Sequence, residues 1–467
     1  MSATMAQCAG REPLGAPPRL TAGEEGRATL RLALPMALTQ FAQLSIQTTE
    51  IILIGWLGTR DLAAASLGVS LYHPFMLFII GLASAAAPLV AQARGARRPR
   101  EVRRAVRQGL WASGLVSLLF MILLWHGGAL LGAVGQAPEL IGPAERYLRA
   151  LLWGLPFAGF FIVLRSFTGA FGHTRAFLVI TLLAVPFNAL LSWVLIFGPL
   201  GFPALGLVGG AIGASVTQAL MFLVLLVWTL RHRAFRRFAI LGRFWRPDWK
   251  CFATVMRVGL PIGAAMLMES GLFAASTQLM GLVGAVQLAA HQVTLQITAS
   301  AFMIPLGISQ AATIRVGLAA GRGNAEGVLL AGRVAIAFGT VFSLATAIFF
   351  WLMPQPLAGL FLGAAEDGSR AILLAAAFLQ VAAVFQLVDC WQVIGIANLR
   401  GLRDTAVPMW IAIGGYWGLG FPTCLFLGLH TPLGGTGIWW GLAVALAAVA
   451  IAMVVRFERM AGRMARG

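Results

Sequence analysis

The sequence contains few charged residues for its length. Only 11% of its 467 residues are Asp, Glu, Lys or Arg, whereas 59% are hydrophobic. Soluble globular domains carry about 25% charged residues, because these residues cover the surface that faces water. A chain with so little charge cannot cover a water-facing surface of this size. We therefore predict that lipid surrounds most of the protein.

Cysteine and histidine are scarce and scattered, which argues against several classes of protein. The four cysteines include no C-x-x-C pair, so we predict neither a disulfide framework nor a zinc site. The six histidines are dispersed, so we do not expect an intramembrane enzyme, and we expect no cofactor. No G-x-x-x-x-G-K sequence is present, so ATP is not expected to be the direct source of energy.

Long apolar segments dominate the chain instead. Crossing the hydrocarbon core of a bilayer takes about 20 apolar residues in a helix. Twelve stretches between residues 32 and 455 meet this requirement. They are too long and too uniformly apolar to be the strands of a membrane barrel. The sequence therefore predicts an all-α integral membrane protein with twelve transmembrane helices.

Arginines are concentrated in alternate links between these segments. The link at 94–107 contains seven arginines, and the link at 231–250 contains six arginines together with Lys250, the single lysine. The links on the opposite side are nearly free of charge. By the positive-inside rule we predict a multi-pass protein of the cell inner membrane with both termini in the cytosol. The basic links act as topology signals in this interpretation, and we expect no nucleic-acid partner.

The chain repeats itself after 226 residues, and this one offset covers about sixty residues without a gap. Six predicted spans separate the two copies, so both copies have the same orientation in the membrane. The halves are therefore expected to be parallel repeats, related by an axis along the membrane normal. The corresponding residues include the pairs Pro35 and Pro261, Gly81 and Gly307, and Gly95 and Gly321.

The repeat divides the chain into five predicted segments. Two lobes of six spans each are expected to hold a small-molecule substrate between them, near the middle of the membrane. We expect the protein to act as a monomer. The segments are an N-terminal cytosolic tail at 1–28, an N-lobe at 29–230, a basic cytosolic linker at 231–251, a C-lobe at 252–457 and a C-terminal cytosolic tail at 458–467.

Three acidic residues lie inside predicted spans: Glu50, Glu269 and Asp389. A charge near the bilayer centre costs at least about 2.5–3.5 kcal/mol, so an acid kept there needs a cavity, a partner or a bound ion. We find no basic residue at the middle of a span that could pair with them, and H⁺ or Na⁺ is the expected compensation. The alternative is a neutral acid that forms a hydrogen bond with a neighbouring helix.

Polar and aromatic residues accompany these acids. Asn188 and Ser192 are four residues apart in the fifth span and therefore share a helix face. Such side chains either line a cavity or join helices by hydrogen bonds. The candidate cavity-lining residues are Gln43, Gln47, Ser192, Ser215, Gln278, Phe385, Gln386 and Trp391.

Four stretches carry a family resemblance. They begin at Leu34 (LPMALTQFAQLSIQTTEIILIGWLG), Val185 (VPFNALLSWVLIFG), Gly259 (GLPIGAAMLMESGLFAASTQLMG) and Phe385 (FQLVDCWQVIGIANLRGLRDTAVP). Together they resemble the multidrug and toxic compound extrusion (MATE) family, and within it the NorM-like branch. The resemblance extends from about residue 28 to about residue 457.

The resemblance implies two six-helix lobes that form a V around a central cavity. It implies an antiporter that exports small organic, drug-like compounds, chiefly cations, in exchange for H⁺ or Na⁺. The cation-coupling residues it implies are Glu50, Asn188, Glu269 and Asp389, and the family usually has aspartate at the position of Glu50. Na⁺ is a candidate ligand of Glu269 and Asp389, and the choice between H⁺ and Na⁺ is open.

Two other functions fit a membrane protein of this kind. A flippase for lipid-linked precursors would have the same broad fold, with basic residues inside its cavity to hold pyrophosphate. Because we find no basic residue at the middle of a span, the sequence favours the exporter. A passive channel would transport its substrate without ion coupling.

Overall fold

The structure is a computed structural model that describes residues 21–199, 203–242, 244–246, 248–361 and 366–466, with the backbone alone for 366–369. Within these ranges the chain forms twelve long helices and no β-strand. We number the helices α1 to α12 in chain order. Their bounds are Ala22–Gly55, Thr59–Gly95, Pro99–Leu124, Pro138–Ala170, Thr174–Phe197, Leu207–Arg231, Trp249–Val283, Ala285–Gly321, Ala325–Leu352, Glu366–Gly401, Ala406–Leu429 and Gly435–Arg466.

In the described part of the chain, eleven of these helices are long and apolar enough to cross a membrane. The remaining one is α1, which has 34 residues but carries three glutamines and Glu50 along its apolar stretch. It packs against α5 and α8, and its three glutamines line a space inside the bundle. The predicted all-α membrane fold is confirmed.

Local sequence signals set the start of α1. The side chain of Thr21 accepts a hydrogen bond from the N–H of Glu24, and the Glu24 carboxylate accepts one from the N–H of Thr21 at 2.9 Å. This capping box satisfies donors that the first turn leaves free. Helix α1 therefore begins inside the predicted tail 1–28, and α12 continues through the predicted tail 458–467 as far as Arg466. The rest of both predicted tails lies outside the described residues.

The helices pack in two groups of six. In the first group α1 packs on α5, and both α4 and α5 pack on α6. In the second group α8, α9 and α12 all pack on α10. Between the groups, α1 packs on α8 and α2 packs on α7. We call α1–α6 the N-lobe and α7–α12 the C-lobe.

Both described termini and the arginine-rich links lie at one end of the bundle, because each long helix reverses the direction of the chain. We call this the basic end. Ion pairs tie its links to the helices: Arg104 of α3 pairs with Asp248 at the start of α7, and Arg456 of α12 pairs with Asp404 at 2.6 Å. Carboxylates thus offset part of the positive charge that the sequence concentrates here.

The contacts between the lobes follow the sequence repeat. Gly81 of α2 packs on Gly263 of α7, where a Cβ on Gly81 would lie 2.5 Å from the Gly263 Cα. The equivalent contact joins Gly307 of α8 to Ala37 of α1, because Gly307 follows Gly81 by 226 residues and Gly263 follows Ala37 by the same number. At the basic end, Gly95 and Gly321 occupy equivalent positions and touch each other. The repeat therefore builds an interface with approximate two-fold symmetry.

A buried ion pair also joins the lobes at the basic end. Arg315 of α8 donates from Nε to Oε1 of Glu25 in α1 at 2.7 Å, and from Nη2 to Oε2. Glu25 is 3% exposed. We call Glu25 and Arg315 the lobe clasp. Close by, the Gln92 side chain of α2 donates to the carbonyl of Gly401 at 2.8 Å, so the two lobes are in contact at this end.

Candidate functional site

The N-lobe contains one of the three predicted acids, Glu50 on α1. Tyr147 of α4 is buried and donates from its hydroxyl to Oε1 of Glu50 at 2.9 Å. Tyr72 of α2 is also buried and interacts electrostatically with Glu50, while its hydroxyl contacts Sδ of Met76 at 3.6 Å. Two tyrosines from two other helices therefore accompany this carboxylate.

The other residues predicted for the N-lobe site lie on α5 and α6. Asn188 accepts a hydrogen bond at Oδ1 from the Thr217 hydroxyl at 3.0 Å, and its Nδ2 has no partner among the described residues. Ser192 is buried, and its hydroxyl also lacks a partner there. Ser215 donates to the carbonyl of Ala150 at 2.8 Å and so joins α6 to α4. Thr217 is a partner of Asn188 that the sequence alone does not indicate.

The C-lobe brings Glu269 of α7 and Asp389 of α10 together, and their carboxylates interact electrostatically. Gln392 lies one turn beyond Asp389, interacts electrostatically with Glu269, and donates from its side-chain amide to the hydroxyl of Tyr416 on α11. Asp389, Gln392 and Tyr416 are all buried. Like charges repel each other, so the pair favours a bound H⁺ or metal cation. We call these four residues the C-lobe acid site.

Tyr416 lies on an unusual turn. Residues Gly414–Gly420 form a π-helical segment inside α11, with the sequence GGYWGLG. Such turns are rare and frequently occur at functional sites, and glycine weakens the regular α-helix that would replace them. The sequence predicts an uninterrupted span here, and its apolar pattern does not distinguish Tyr416.

The scarcity of tyrosine is a signal that could have located these partners. The chain has 3 tyrosines and 30 phenylalanines. All three tyrosines, Tyr72, Tyr147 and Tyr416, are buried and interact electrostatically with a predicted acid. A buried phenol usually finds a hydrogen-bond partner. A rare tyrosine inside an apolar span therefore indicates a polar site beside it.

A central cavity lies between the lobes. Residues of α1, α2, α4 and α6 line it from the N-lobe, and residues of α7, α8 and α10 line it from the C-lobe. Gln43 and Gln47 are among the lining residues. The helices of both lobes thus meet around one space, which is where the sequence analysis expects a substrate.

The four candidate residues of the C-lobe lie elsewhere. Phe385 packs among other aromatic rings, and Gln386 is fully buried with neither amide atom paired in the described part of the chain. Trp391 is 37% exposed and donates to the Thr340 hydroxyl at 2.8 Å, while Gln278 is exposed on α7. None of these four side chains is among the described residues that line the cavity.

Two arginines line the central cavity, contrary to the prediction from the sequence. Arg165 of α4 is buried and donates from Nη1 to Oε1 of Gln40 at 2.9 Å. Arg400, at the end of α10, interacts electrostatically with Glu269. The expectation that no basic residue reaches the acids or the interior was wrong. Both arginines lie near helix ends at the margins of apolar segments, and a long side chain can extend from there into the bundle.

The described residues contain no group of three His, Cys, Asp or Glu side chains that could hold a metal ion. The C-lobe acid site supplies two carboxylates together with the amide and phenol oxygens of Gln392 and Tyr416. Oxygen ligands suit hard cations such as Na⁺, and a carboxylate pair can equally share a proton. The donor set fits either coupling ion.

Comparison with known proteins identifies the family. The family model MatE matches residues 35–194 and 261–426, in two segments that begin 226 residues apart. The chain belongs to the MATE family. A Mesorhizobium japonicum protein named "Probable multidrug resistance protein NorM" is 44% identical to this MATE protein over 440 residues, which cover 93% of this chain and 94% of the relative. A Brucella suis protein of the same name is 41% identical over 440 residues, covering 94% and 93%.

Solved MATE structures share the fold. A MATE protein crystallised in complex with MaL6 superposes with a TM-score of 0.86 at 21% identity, covering 95% of this chain and 98% of that one. The eukaryotic MATE transporter AtDTX14 superposes with a TM-score of 0.82 at 19% identity, with the same coverage. With its NorM relatives, this likeness makes the chain a NorM-like MATE transporter of the membrane and not an enzyme.

Replacing Tyr147 by phenylalanine removes the hydroxyl that donates to Glu50 and keeps the ring. A hydrogen bond to a charged group contributes about 1.5–3 kcal/mol, so the ion-free carboxylate becomes less stable. We expect the apparent affinity of the MATE transporter for its coupling ion to rise about tenfold or more. Transport rates measured over a range of H⁺ and Na⁺ concentrations test this.

Tyr72→Phe is the comparison variant, because the Tyr72 hydroxyl lies in the same site but contacts Met76 and donates no hydrogen bond to Glu50. We expect its ion dependence to change less than that of Tyr147→Phe. An unchanged ion dependence in Tyr147→Phe as well would show that Glu50 does not bind the coupling ion.

Proposed function

We propose that this MATE transporter is a secondary antiporter that exports small organic, drug-like compounds in exchange for H⁺ or Na⁺. The observation that carries the proposal is the position of Arg400, which lines the central cavity and interacts with Glu269 of the C-lobe acid site. One side chain therefore connects the proposed ion site to the proposed substrate cavity. The multidrug resistance named for the NorM relatives supports the same function.

The proposed cycle follows from this arrangement. Ion-free Glu269 supplies a counter-charge to Arg400, and a bound H⁺ or Na⁺ removes it. The Arg400 side chain and the end of α10 then repack, and the cavity that they line changes with them. An ion can drive this change only if it binds the two lobe arrangements with different affinities. Glu50 and Asn188 form a second proposed coupling site in the N-lobe.

The orientation of the protein is part of the proposal. The basic end carries the arginine-rich links, so the positive-inside rule places it and both termini in the cytosol, with the helices in the inner membrane. The central cavity lies between the two lobes of a single chain, and we propose that the transporter acts as a monomer. The basic links serve topology in this proposal, without a nucleic-acid partner.

Transport by the purified protein in liposomes tests the proposal. Liposomes loaded with a fluorescent organic dye are given either a Na⁺ gradient or a pH gradient, and liposomes without protein measure the leak. We expect one of the two gradients to move the dye against its own concentration gradient. Dye movement that is equally fast without any ion gradient would instead indicate a passive channel.

The cavity arginines favour one second candidate function. A flippase for lipid-linked precursors needs basic residues in its cavity, and Arg165 and Arg400 supply them. The 44% identity to a NorM protein over most of the chain favours the exporter. Movement of a prenyl pyrophosphate across the bilayer of the same liposomes, without any dye transport, would favour the flippase.

A further inference from the structure

The central cavity contains charges of a single sign. Arg165 and Arg400 are the charged residues among the described residues that line it, and none of those is acidic. Glu269 offsets the charge of Arg400. The hydrogen bond of Arg165 goes to the neutral amide of Gln40, and in the described part of the chain no acidic side chain acts on Arg165 electrostatically. Arg165 is therefore the cavity charge that has no counter-charge.

A buried arginine without a counter-charge is costly to keep inside a membrane protein. Arg165 is 9% exposed and lies near the end of α4, and the Gln40 amide on α1 holds its guanidinium. A guanidinium presents several N–H donors in a planar fork, which matches the two oxygens of a carboxylate, sulfonate or phosphate. The geometry thus suits an anion that enters from the cavity.

The rest of the lining suits the body of an organic molecule. Four methionines line the same cavity, and methionine side chains are flexible and adapt to partners of different shape. Glutamines of both lobes add neutral donors and acceptors. A ligand with one anionic group and an apolar or aromatic body would therefore find a complementary surface here. The methionines are Met36, Met76, Met221 and Met266.

We infer that Arg165 recognises an anionic group of the transported compound, so that the substrates of this MATE transporter include organic carboxylates and related anions. This inference rests on the proposed export function and assigns a charge class opposite to the cations implied by the family resemblance. Because no acidic side chain of the described chain acts on Arg165, its charge does not depend on ion binding at Glu269. Release of the anion then follows from the rearrangement of the lobes.

Two dyes with the same xanthene frame and opposite charge test the inference. Carboxyfluorescein carries carboxylates, and rhodamine 123 is a cation. Each is loaded separately into liposomes that contain the wild type, Arg165→Gln, Arg165→Lys or Arg60→Gln. The last variant makes the same chemical change at an exposed arginine outside the cavity. Binding of each dye to the detergent-solubilised proteins is measured in parallel by fluorescence anisotropy.

We expect the wild type and Arg60→Gln to export carboxyfluorescein. In Arg165→Gln, we expect the export rate of carboxyfluorescein and the affinity for it to fall at least about tenfold. Arg165→Lys should recover part of both. We expect rhodamine 123 to be less affected, which also shows that Arg165→Gln is folded. Export of rhodamine 123 alone by the wild type, or equal carboxyfluorescein binding by Arg165→Gln, would overturn the inference and leave the exporter standing. Failure of both dyes to move under either ion gradient would count against the exporter itself.

Discussion

Ion-driven export is expected to be lost when Asp389 is replaced by asparagine. The asparagine side chain has nearly the size of the native one but cannot take up and release a proton, and it offers a metal cation no negative charge. The Glu269 carboxylate then loses the like-charged neighbour whose repulsion favours cation binding. Coupling between two binding sites, here the ion site and the substrate cavity, typically changes affinity by about 5- to 150-fold. We expect gradient-driven dye accumulation to fall by a factor in this range.

Asp61→Asn is the matched control for this prediction. It makes the same chemical change in the first turn of α2, where Asp61 lines a pocket that contains none of the proposed ion-binding residues. Dye accumulation by both variants is measured in liposomes with imposed pH and Na⁺ gradients. If Asp389→Asn and Glu269→Gln both keep full ion-driven accumulation, the coupling ion does not bind in the C-lobe, and Glu50 becomes the remaining candidate.

Replacing Arg315 by methionine is expected to open the basic end of the bundle. The change leaves the buried carboxylate of Glu25 without its partner across the lobe interface. Removing one member of a buried ion pair costs about 3–5 kcal/mol, because the remaining charge is uncompensated. The arrangement in which the lobes touch at this end should lose that stability relative to one in which they separate.

Distances between spin labels on the two lobes measure this change. Labels at Arg98→Cys in the N-lobe and Arg463→Cys in the C-lobe, in a background without native cysteines, are expected to move apart in Arg315→Met. In the double variant Glu25→Gln with Arg315→Met, we expect the distance between the labels to return most of the way to the wild-type value. The reason is that no unpaired charge is then left at the interface.

Arg333→Met is the control for the lobe clasp. Arg333 forms the same kind of bidentate ion pair with Glu458, from Nε to Oε1 at 2.9 Å and from Nη2 to Oε2 at 2.7 Å. This pair is exposed and lies within the C-lobe. An exposed ion pair contributes about 1 kcal/mol or less, so its loss should leave the label distances unchanged. Equal distances in the wild type and in Arg315→Met would show that the lobe clasp does not hold the basic end closed.

The fold was predictable because lipid imposes simple requirements on a chain. A helix must satisfy its own backbone and present about 20 apolar residues, and both features are visible in single segments. The repeat was predictable for a similar reason, since the interface pairs at Gly81 and Gly307 recur at one fixed offset. The start of α1 was missed because its first turn depends on the capping box at Thr21, outside the apolar stretch.

The candidate site was predictable only in part. Glu50, Glu269 and Asp389 stand out in the sequence because an acid in an apolar segment is costly. Their partners do not stand out in this way. Tyr147 is 97 residues from Glu50 in the chain, and only the packing of α4 on the bundle brings its hydroxyl to the carboxylate. Arg165 does not stand out in the sequence either, because hydropathy averaged over a span tolerates one arginine near its end.

The sequence by itself determined that the protein lies in a membrane, that its two halves are parallel copies, and which three acids interrupt its apolar segments. These properties depend on the composition and spacing of residues along single helices. The tertiary structure decided which side chains meet: Glu269 with Asp389, Arg400 with both the C-lobe acid site and the cavity, and Arg165 with Gln40. The reason is that the rotation of each helix about its axis decides what a side chain faces, and contacts between distant helices set that rotation.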